Sequence, residues 1–350
     1  MNINKLLIDG RKVGEGEKIF IIAEVAQAHD GSLGAAYAYI DAAAGSGVDA
    51  IKFQTHIADA ESTLDDKFRI KFSKQDETRF NYWKRMEFSR SQWHGLAEHA
   101  KKKGLIFLSS AFSLEAIDIL DDIGMPAWKL ASGEIASSDI IERIIISRKP
   151  VLVSTGMSSY SEIDHIVEKL QANDISYALM QCTSKYPTPM NEVGINVLHE
   201  LKQKYNCCTG LSDHSGTIYP GMTCIAQDAN LLELHVTFDR RMFGPDTVAS
   251  VTFDDLKRLV EFRDAYYEMK SNPVNKDSFA NEMYDMRTLF NKSIAPSKDL
   301  KAGTVLTKEM LTAKKPGTGI PMIEIDSVLG RKLKKDISSN KLLLWNDLND

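Results

Sequence analysis

The sequence predicts an α/β protein: a closed (β/α)8 barrel of parallel strands followed by a small β-rich domain. Three observations carry this reading. Eight short apolar runs alternate with helical patterns over about 240 residues, the length and rhythm of eight βα units. The runs are continuously apolar, as strands covered on both faces must be. From about residue 286 the pattern changes to short strands separated by Gly and Pro, as in Gly303-Thr304 and Lys315-Pro316-Gly317, which marks a second, β-rich unit. A doubly wound open sheet is the alternative for the larger part.

The predicted strands cover residues 19–24, 50–54, 105–109, 127–130, 151–154, 177–181, 208–212 and 231–235. Helical patterns lie between them at 35–44, 114–123, 139–147 and 161–170, and a last one at 253–269 follows the eighth strand. Ser89 and Gln92 have capping-box spacing, so a helix begins there and runs to Lys103, where Gly104 ends it. Residues 57–87 are too charged for core and are expected as an inserted loop with a helix near 77–86. The expected domains are a barrel over 1–270, a linker over 271–288 and a small domain over 289–350. Sixty residues give only a thin core, so the small domain is expected to pack on a barrel, its own or that of another subunit.

Bulk composition limits the function. The net charge is −5 with no basic stripe, which argues against nucleic acid as a partner. The cysteines, Cys182, Cys207, Cys208 and Cys224, form no CxxC pair and read as reduced thiols. No stretch approaches the ~20 apolar residues of a membrane span, and the N-terminus has no signal-peptide core. The expectation is a cytoplasmic protein with no membrane partner.

Chemistry in such a barrel sits at the carboxyl ends of the strands. In strand order, that rim would carry Glu24; Lys52 and Gln54; Ser109 and Ser110; Lys129 with Ser132 and Glu134; Ser154; Gln181 and Ser184; Ser212, Asp213 and His214; and Glu233 and His235. His214 and His235 end successive strands and would stand side by side, which suits a shared metal ion, since neutral imidazole is a common ligand. Each histidine alone would read as a hydrogen-bonded strand end. Lys52 and Lys129 lie inside apolar strands, and a buried lysine must meet an anion. Glu24 and Glu134 could supply it as internal ion pairs. A phosphate or carboxylate ligand, held with Ser110, Ser132 and Ser212, is the functional reading. A Schiff-base lysine is the competing role.

These residues resemble the sialic acid synthase family. The matching stretches are Ile21-Ile22-Ala23-Glu24 with His29-Asp30-Gly31, Lys52-Phe53-Gln54-Thr55, Lys129-Leu130-Ala131-Ser132-Gly133-Glu134, Ser154-Thr155-Gly156-Met157, Cys182-Thr183 with Tyr186-Pro187-Thr188-Pro189, Gly210 to His214, and Gly244-Pro245-Asp246. Lys315-Pro316-Gly317-Thr318-Gly319-Ile320 resembles the family's antifreeze-like (SAF) domain. The resemblance implies a TIM barrel with a C-terminal SAF domain that condenses phosphoenolpyruvate with an N-acylated mannosamine-type sugar. The product would be a nine-carbon 2-keto-3-deoxy sugar acid, with phosphate released. It implies Mn2+, or another divalent ion such as Mg2+ or Co2+, on His214 and His235. Lys52, Ser110, Lys129, Ser132, Ser184 and Ser212 would surround phosphoenolpyruvate, with Ser154 among the substrate-binding residues. Gln54, Tyr186 and Asp246 would face the sugar, and Glu24 and Glu134 would move protons or orient water. A homodimer is implied, with the SAF domain reaching over the partner's barrel.

The chain departs from the family pattern mainly on the sugar side. Ala28 and Gln181 replace a common asparagine and histidine, Ser184 replaces asparagine, and Lys315 stands where an arginine reaches the sugar's acyl group. Lysine lacks the planar fork of arginine. A modified acceptor, such as a 2,4-diamino-6-deoxy hexose, follows from these changes. A Schiff-base aldolase on the same barrel and a non-catalytic sugar-phosphate binder are the other readings.

Overall fold

The computed structural model describes residues 5–68 and 70–349. They form two compact units, Met1–Ser271 and Asn272–Asp350.

The first unit opens with an antiparallel hairpin, β1 (Lys5–Ile8) and β2 (Arg11–Gly14). Its turn residues Asp9 and Gly10 have φ of 48° and 77°, the paired positive values that match a two-residue turn to strand twist. Then follow β3 (Phe20–Ala26), β4 (Ala50–Thr55), β5 (Ile106–Ala111), β6 (Trp128–Leu130), β7 (Val151–Ser154), β8 (Tyr177–Cys182), β9 (Cys208–Asp213) and β10 (Leu231–Thr237). Each pairs in parallel with the next, and β10 pairs back onto β3, with Glu233 opposite Ile22 and His235 opposite Glu24. The ring is closed, as the sequence predicts. A two-residue β11 (Val251–Thr252) runs beside β10.

Strand alternation sorts the residues. Ile21, Ala23, Ile51, Phe53, Trp128, Val153, Leu211, Leu232 and Leu234 face outward into the helix layer, packed with Ile40, Leu120, Ile144, Ile166, Leu201 and Leu259. Trp128 donates from Nε1 to Ser147 Oγ at 2.7 Å in that layer. The alternate residues point into the barrel. Near the strand starts these are Phe20, Ile22, Ala50, Ile106, Leu152 and Leu231, and they cluster with Leu6, Ile8 and Val13 of the hairpin. The hairpin therefore stops the amino-terminal end of the barrel with apolar side chains. Further along, the inward positions turn polar.

Helices begin where the caps are. Ser89 and Gln92 form the expected capping box of Arg90–Lys102, and Ser159 with Glu162 forms another for Tyr160–Ala172. Helices Ile195–Tyr205 and Tyr219–Ala226 lack a side-chain cap; the first has no start signal in the sequence, and the second has only Pro220 in its first turn. Buried Asp49 closes the ring on the amino-terminal side: Oδ2 accepts from Ile21 N at 2.7 Å and from Arg263 Nη1 at 2.9 Å. The stretch expected as an inserted loop is pinned at its helix Arg79–Met86, where Tyr82 and Met86 are buried. Arg85 donates to Asp30 O and Oδ1 at 2.9 and 2.7 Å and pairs with Asp76 at 2.8 Å. Its own carbonyl lies 2.4 Å from where a Cβ on Gly31 would stand, so that position needs glycine.

The second unit pairs β12 (Ser293–Pro296) with β13 (Leu311–Lys314) and adds single bridges such as Leu300 to Ile337. Its core is Ile294, Leu300, Leu306, Leu311, Ile320, Val328, Leu333, Ile337, Leu343 and Leu348. The stretch expected as a linker holds two helices instead, Lys276–Glu282 and Tyr284–Phe290. Asn275 explains the first, because its side chain accepts from the backbone N–H groups of Asp277 and Ser278. Among the described residues, no helix is long and apolar enough to cross a membrane.

Candidate active site

At the carboxyl end of the barrel the inward side chains form one polar cluster. Lys52 Nζ lies 2.6 Å from Glu24 Oε2 and 3.7 Å from Glu233 Oε1, and it donates to Ser110 Oγ at 3.2 Å. Lys129 Nζ lies 3.3 Å from the same Glu233 oxygen and donates to Ser154 Oγ at 2.6 Å. Ser212 Oγ donates to Glu233 Oε1 at 3.1 Å. Two ammonium groups and two carboxylates thus sit together with hydroxyls, and Lys52, Lys129, Glu24 and Glu233 are all buried.

The second carboxylate is Glu233 and not Glu134. Glu134 leaves the end of β6 on a short 3-10 turn, is partly exposed and accepts from Ser137 Oγ at 2.7 Å. The expected Lys129–Glu134 pair is therefore replaced by Lys129–Glu233. Glu233 was legible: it precedes His235 by two residues, so both must share the inward face of β10.

Burial shapes the charge states. Burial pushes the Glu24 carboxyl above its ordinary range, against the pull of Lys52 and with the help of Glu233. For Glu233 burial acts the same way, but Lys129 and Lys52 together hold it below its usual value. Burial alone would lower Lys52, yet Glu233 and Glu24 keep it raised and charged.

His214 and His235 stand beside this cluster with ring centroids 5.2 Å apart. His214 Nδ1 donates to the Thr183 carbonyl at 3.0 Å, which leaves the Nε2 lone pair facing the Tyr186 hydroxyl at 3.2 Å. Tyr186 stacks on His214 at 4.2 Å. Burial lowers His214 to about 4 and His235 well below its ordinary value, with His214 and both lysines adding to the effect on His235. Both imidazoles are neutral at pH 7. His235 Nδ1 is buried without a hydrogen-bond partner and lies 4.0 Å from Asp246 Oδ2. Two neutral rings, each presenting a nitrogen lone pair, fit a divalent ion. Among the described residues no group of three or more ligating side chains gathers there, so the protein would contribute two imidazoles.

The rest of the rim completes the pocket. Gln54 Nε2 donates to Glu24 Oε1 at 2.9 Å, and Gln27 Nε2 donates to Gln54 Oε1 at 2.9 Å. A Cβ on Gly156 would lie 2.6 Å from Ser184 Oγ, 2.8 Å from Cys182 Sγ and 2.9 Å from Ser132 Oγ, so three side-chain heads converge on that bare backbone. His29 caps its own loop, accepting from Gly31 N at Nδ1. Lys315 belongs to the second unit, where its ammonium lies 5.0 Å from the Phe290 ring centre.

Comparison with known proteins places this architecture. Residues 39–274 match the NeuB family and residues 291–349 the SAF domain. The chain is 32% identical to N,N'-diacetyllegionaminic acid synthase of Campylobacter jejuni, over 93% of this chain and 99% of that one. It is 31% identical to a pseudaminic acid synthase of the same species, over 95% and 97%. The crystal structure of N-acetylneuraminic acid (sialic acid) synthetase from Leptospira borgpetersenii superposes with a TM-score of 0.71 at 27% identity, covering 81% of this chain and 96% of that one. The chain belongs to the NeuB family of synthases and carries a SAF domain after its barrel.

Proposed function

We propose that the protein condenses phosphoenolpyruvate with an N-acylated mannosamine-type sugar aldehyde and water, yielding a nine-carbon 2-keto-3-deoxy sugar acid and phosphate. The observation that carries this reading is the buried pair of lysines, shared with Glu24 and Glu233, directly beside two neutral imidazoles. Lys52 and Lys129, with Ser110, Ser132, Ser154, Ser184 and Ser212, hold the phosphate and carboxylate of phosphoenolpyruvate. Gln54, Tyr186 and Asp246 face the sugar. A divalent ion, with Mn2+ first in line, would be held by His214 and His235 and would act as a Lewis acid on the aldehyde.

The enol carbon of phosphoenolpyruvate then bonds to the aldehyde carbon, water adds to the cationic carbon left behind, and phosphate departs by C–O cleavage. The lysines stabilise the charge on phosphate and carboxylate throughout. Glu24, raised by burial and bonded to Gln54, and Glu233 are placed to orient that water and take its proton. The acting form is a homodimer in which the SAF domain of one subunit brings Lys315 to the partner's barrel. The relatives named above act in legionaminic, pseudaminic and sialic acid synthesis, and the changes at Ala28, Gln181, Ser184 and Lys315 favour a diamino-6-deoxy type of acceptor over plain N-acetylmannosamine.

The Schiff-base alternative meets a physical obstacle. A lysine clamped between carboxylates stays protonated, as Lys52 does, and an ammonium group has no lone pair with which to attack a carbonyl. The test is phosphate release from phosphoenolpyruvate with Mn2+ and a panel of 2-acetamido and 2,4-diacetamido sugars, with products read by mass spectrometry. Release should need both the acceptor and the ion. No release with any sugar would sink the proposal, and a borohydride-trapped pyruvate adduct would revive the aldolase.

A further inference from the structure

His56 lies two residues beyond Gln54, just past the end of β4. It is 5% exposed and sandwiched between two rings: Trp83 at 4.1 Å with planes 19° apart, and Phe112 at 4.4 Å and 9°. A packing role needs nothing more than this stack. Yet both edges of the imidazole are also bonded. Nδ1 lies 2.6 Å from Glu61 Oε1, and Nε2 lies 3.3 Å from Gln54 Oε1.

The direction of these bonds follows from what each partner can do. Glu24 Oε2 faces the Lys52 ammonium, so the Glu24 carboxylate accepts, and the Gln54 atom 2.9 Å from its Oε1 is the amide nitrogen. The Gln54 oxygen therefore faces the other way, where Gln27 Nε2 and His56 Nε2 meet it. That oxygen can only accept, so His56 Nε2 donates. The Glu61 carboxylate also only accepts, so Nδ1 donates as well. The donations therefore run outward from His56, to Glu61 on one side and to Gln54 on the other, and Gln54 donates in turn to the carboxylate at the lysine cluster.

We propose that His56, backed by Glu61, is a positioning residue that holds the Gln54 carboxamide with its oxygen turned away from Glu24 and its N–H groups turned toward Glu24 and the acceptor. This rests on the proposed role of Gln54 at the sugar. Released from His56, the amide could rotate and set its oxygen against the Glu24 carboxylate, misdirecting both groups. Trp83 and Phe112 hold the imidazole in plane, so the insertion at residues 57–87, which supplies Glu61 and Trp83, takes part in aligning the acceptor end of the site.

The test is His56→Phe, which keeps an aromatic ring in the stack and removes both N–H donors. Its kcat/KM for the acceptor should fall about 10- to 100-fold, the range for lost supporting groups around a site, while phosphoenolpyruvate binding stays within about twofold of wild type. Glu61→Gln should shift the same parameter in the same direction by less. In protein labelled with 15N at glutamine side chains, the Gln54 carboxamide resonances should move in His56→Phe, and this signal is read without turnover. Unchanged acceptor kinetics with an unmoved Gln54 signal would overturn the proposal, as would an equal loss of phosphoenolpyruvate binding. If wild type turns over no sugar, the reaction reading fails, and the Gln54 signal alone decides whether His56 holds the amide. Should His56→Phe not fold, Glu61→Gln gives the same two readouts.

Discussion

Replacing Glu233 with glutamine tests the charge balance of the barrel mouth. The carboxylate sits 3.3 Å from Lys129 Nζ and 3.7 Å from Lys52 Nζ. At an effective dielectric near 20 those contacts are worth roughly 5 and roughly 4.5 kcal/mol before desolvation. Lys52 keeps Glu24 at 2.6 Å. Lys129 keeps Ser154 at 2.6 Å and only the more distant pull of Glu24, so the substitution leaves one buried positive charge without a contacting carboxylate. Breaking a buried pair from one side costs about 3–5 kcal/mol. At about 2–4 °C per kcal/mol for a domain of this size, the midpoint of thermal unfolding should drop by roughly 6–20 °C. Inorganic phosphate should recover more of that loss in Glu233→Gln than it adds to wild type, because it supplies the missing anion. Removing both charges, as Lys129→Met with Glu233→Gln, should be less destabilising than the single change. Glu134→Gln should lower stability by about 1 kcal/mol at most, as for one part-buried hydrogen bond. A Glu233→Gln midpoint within about 2 °C of wild type, or a double variant worse than the single, would refute the reasoning.

Three further outcomes follow from the geometry. His29 is buried and, with His56 and Arg85 facing it, is lowered to about 3; it therefore stabilises the fold fully above pH 6.5, and that share is lost as pH falls from 6.5 toward 3. The loss is about 1.4 kcal/mol per pH unit, so between pH 6.5 and 5 wild type should lose roughly 2 kcal/mol more than His29→Gln in urea unfolding, and parallel curves would contradict this. Gly156→Ala would press on three side-chain heads that can swing aside, so it should cost about 1 kcal/mol of stability yet raise the phosphoenolpyruvate KM about tenfold; an unchanged KM would show those heads are not part of the anion site. Asp49→Asn weakens the buried link to Arg263 and Ile21 and should cost about 3–5 kcal/mol in denaturant unfolding, against little change if the link is redundant.

Local pattern carried much of this molecule. Continuous apolar runs marked the strands, and strand parity alone put Lys52 with Gln54, Ser212 with His214, and Glu233 with His235 on common faces. Pairing across the lumen was not legible, because β6 and β10 are far apart in sequence and in strand order; hence Glu134, near in sequence to Lys129, stood where Glu233 belongs. The amino-terminal hairpin stands outside the predicted elements, although Asp9-Gly10 is a turn pair of the short-range kind that joins two strands. Helix Ile195–Tyr205, which starts after a left-handed Gly194 with no side-chain cap, had no such signal. The Glu61–His56–Gln54 line depends on a charged insertion folding back, which composition reads as solvent-facing loop.

The hairpin packs apolar side chains across the amino-terminal end of the barrel, so among the described residues the polar cluster is approached from the carboxyl end. Lys52 and Lys129 are 2% and 5% exposed at its base, while Tyr186 at the lip is 38% exposed. A small anion bound to the lysines must enter before a sugar settles over it, and whatever forms at the base leaves only after the lip clears. In the proposed reaction this makes phosphoenolpyruvate the first substrate in and the sugar the second, an order written by architecture rather than by affinity.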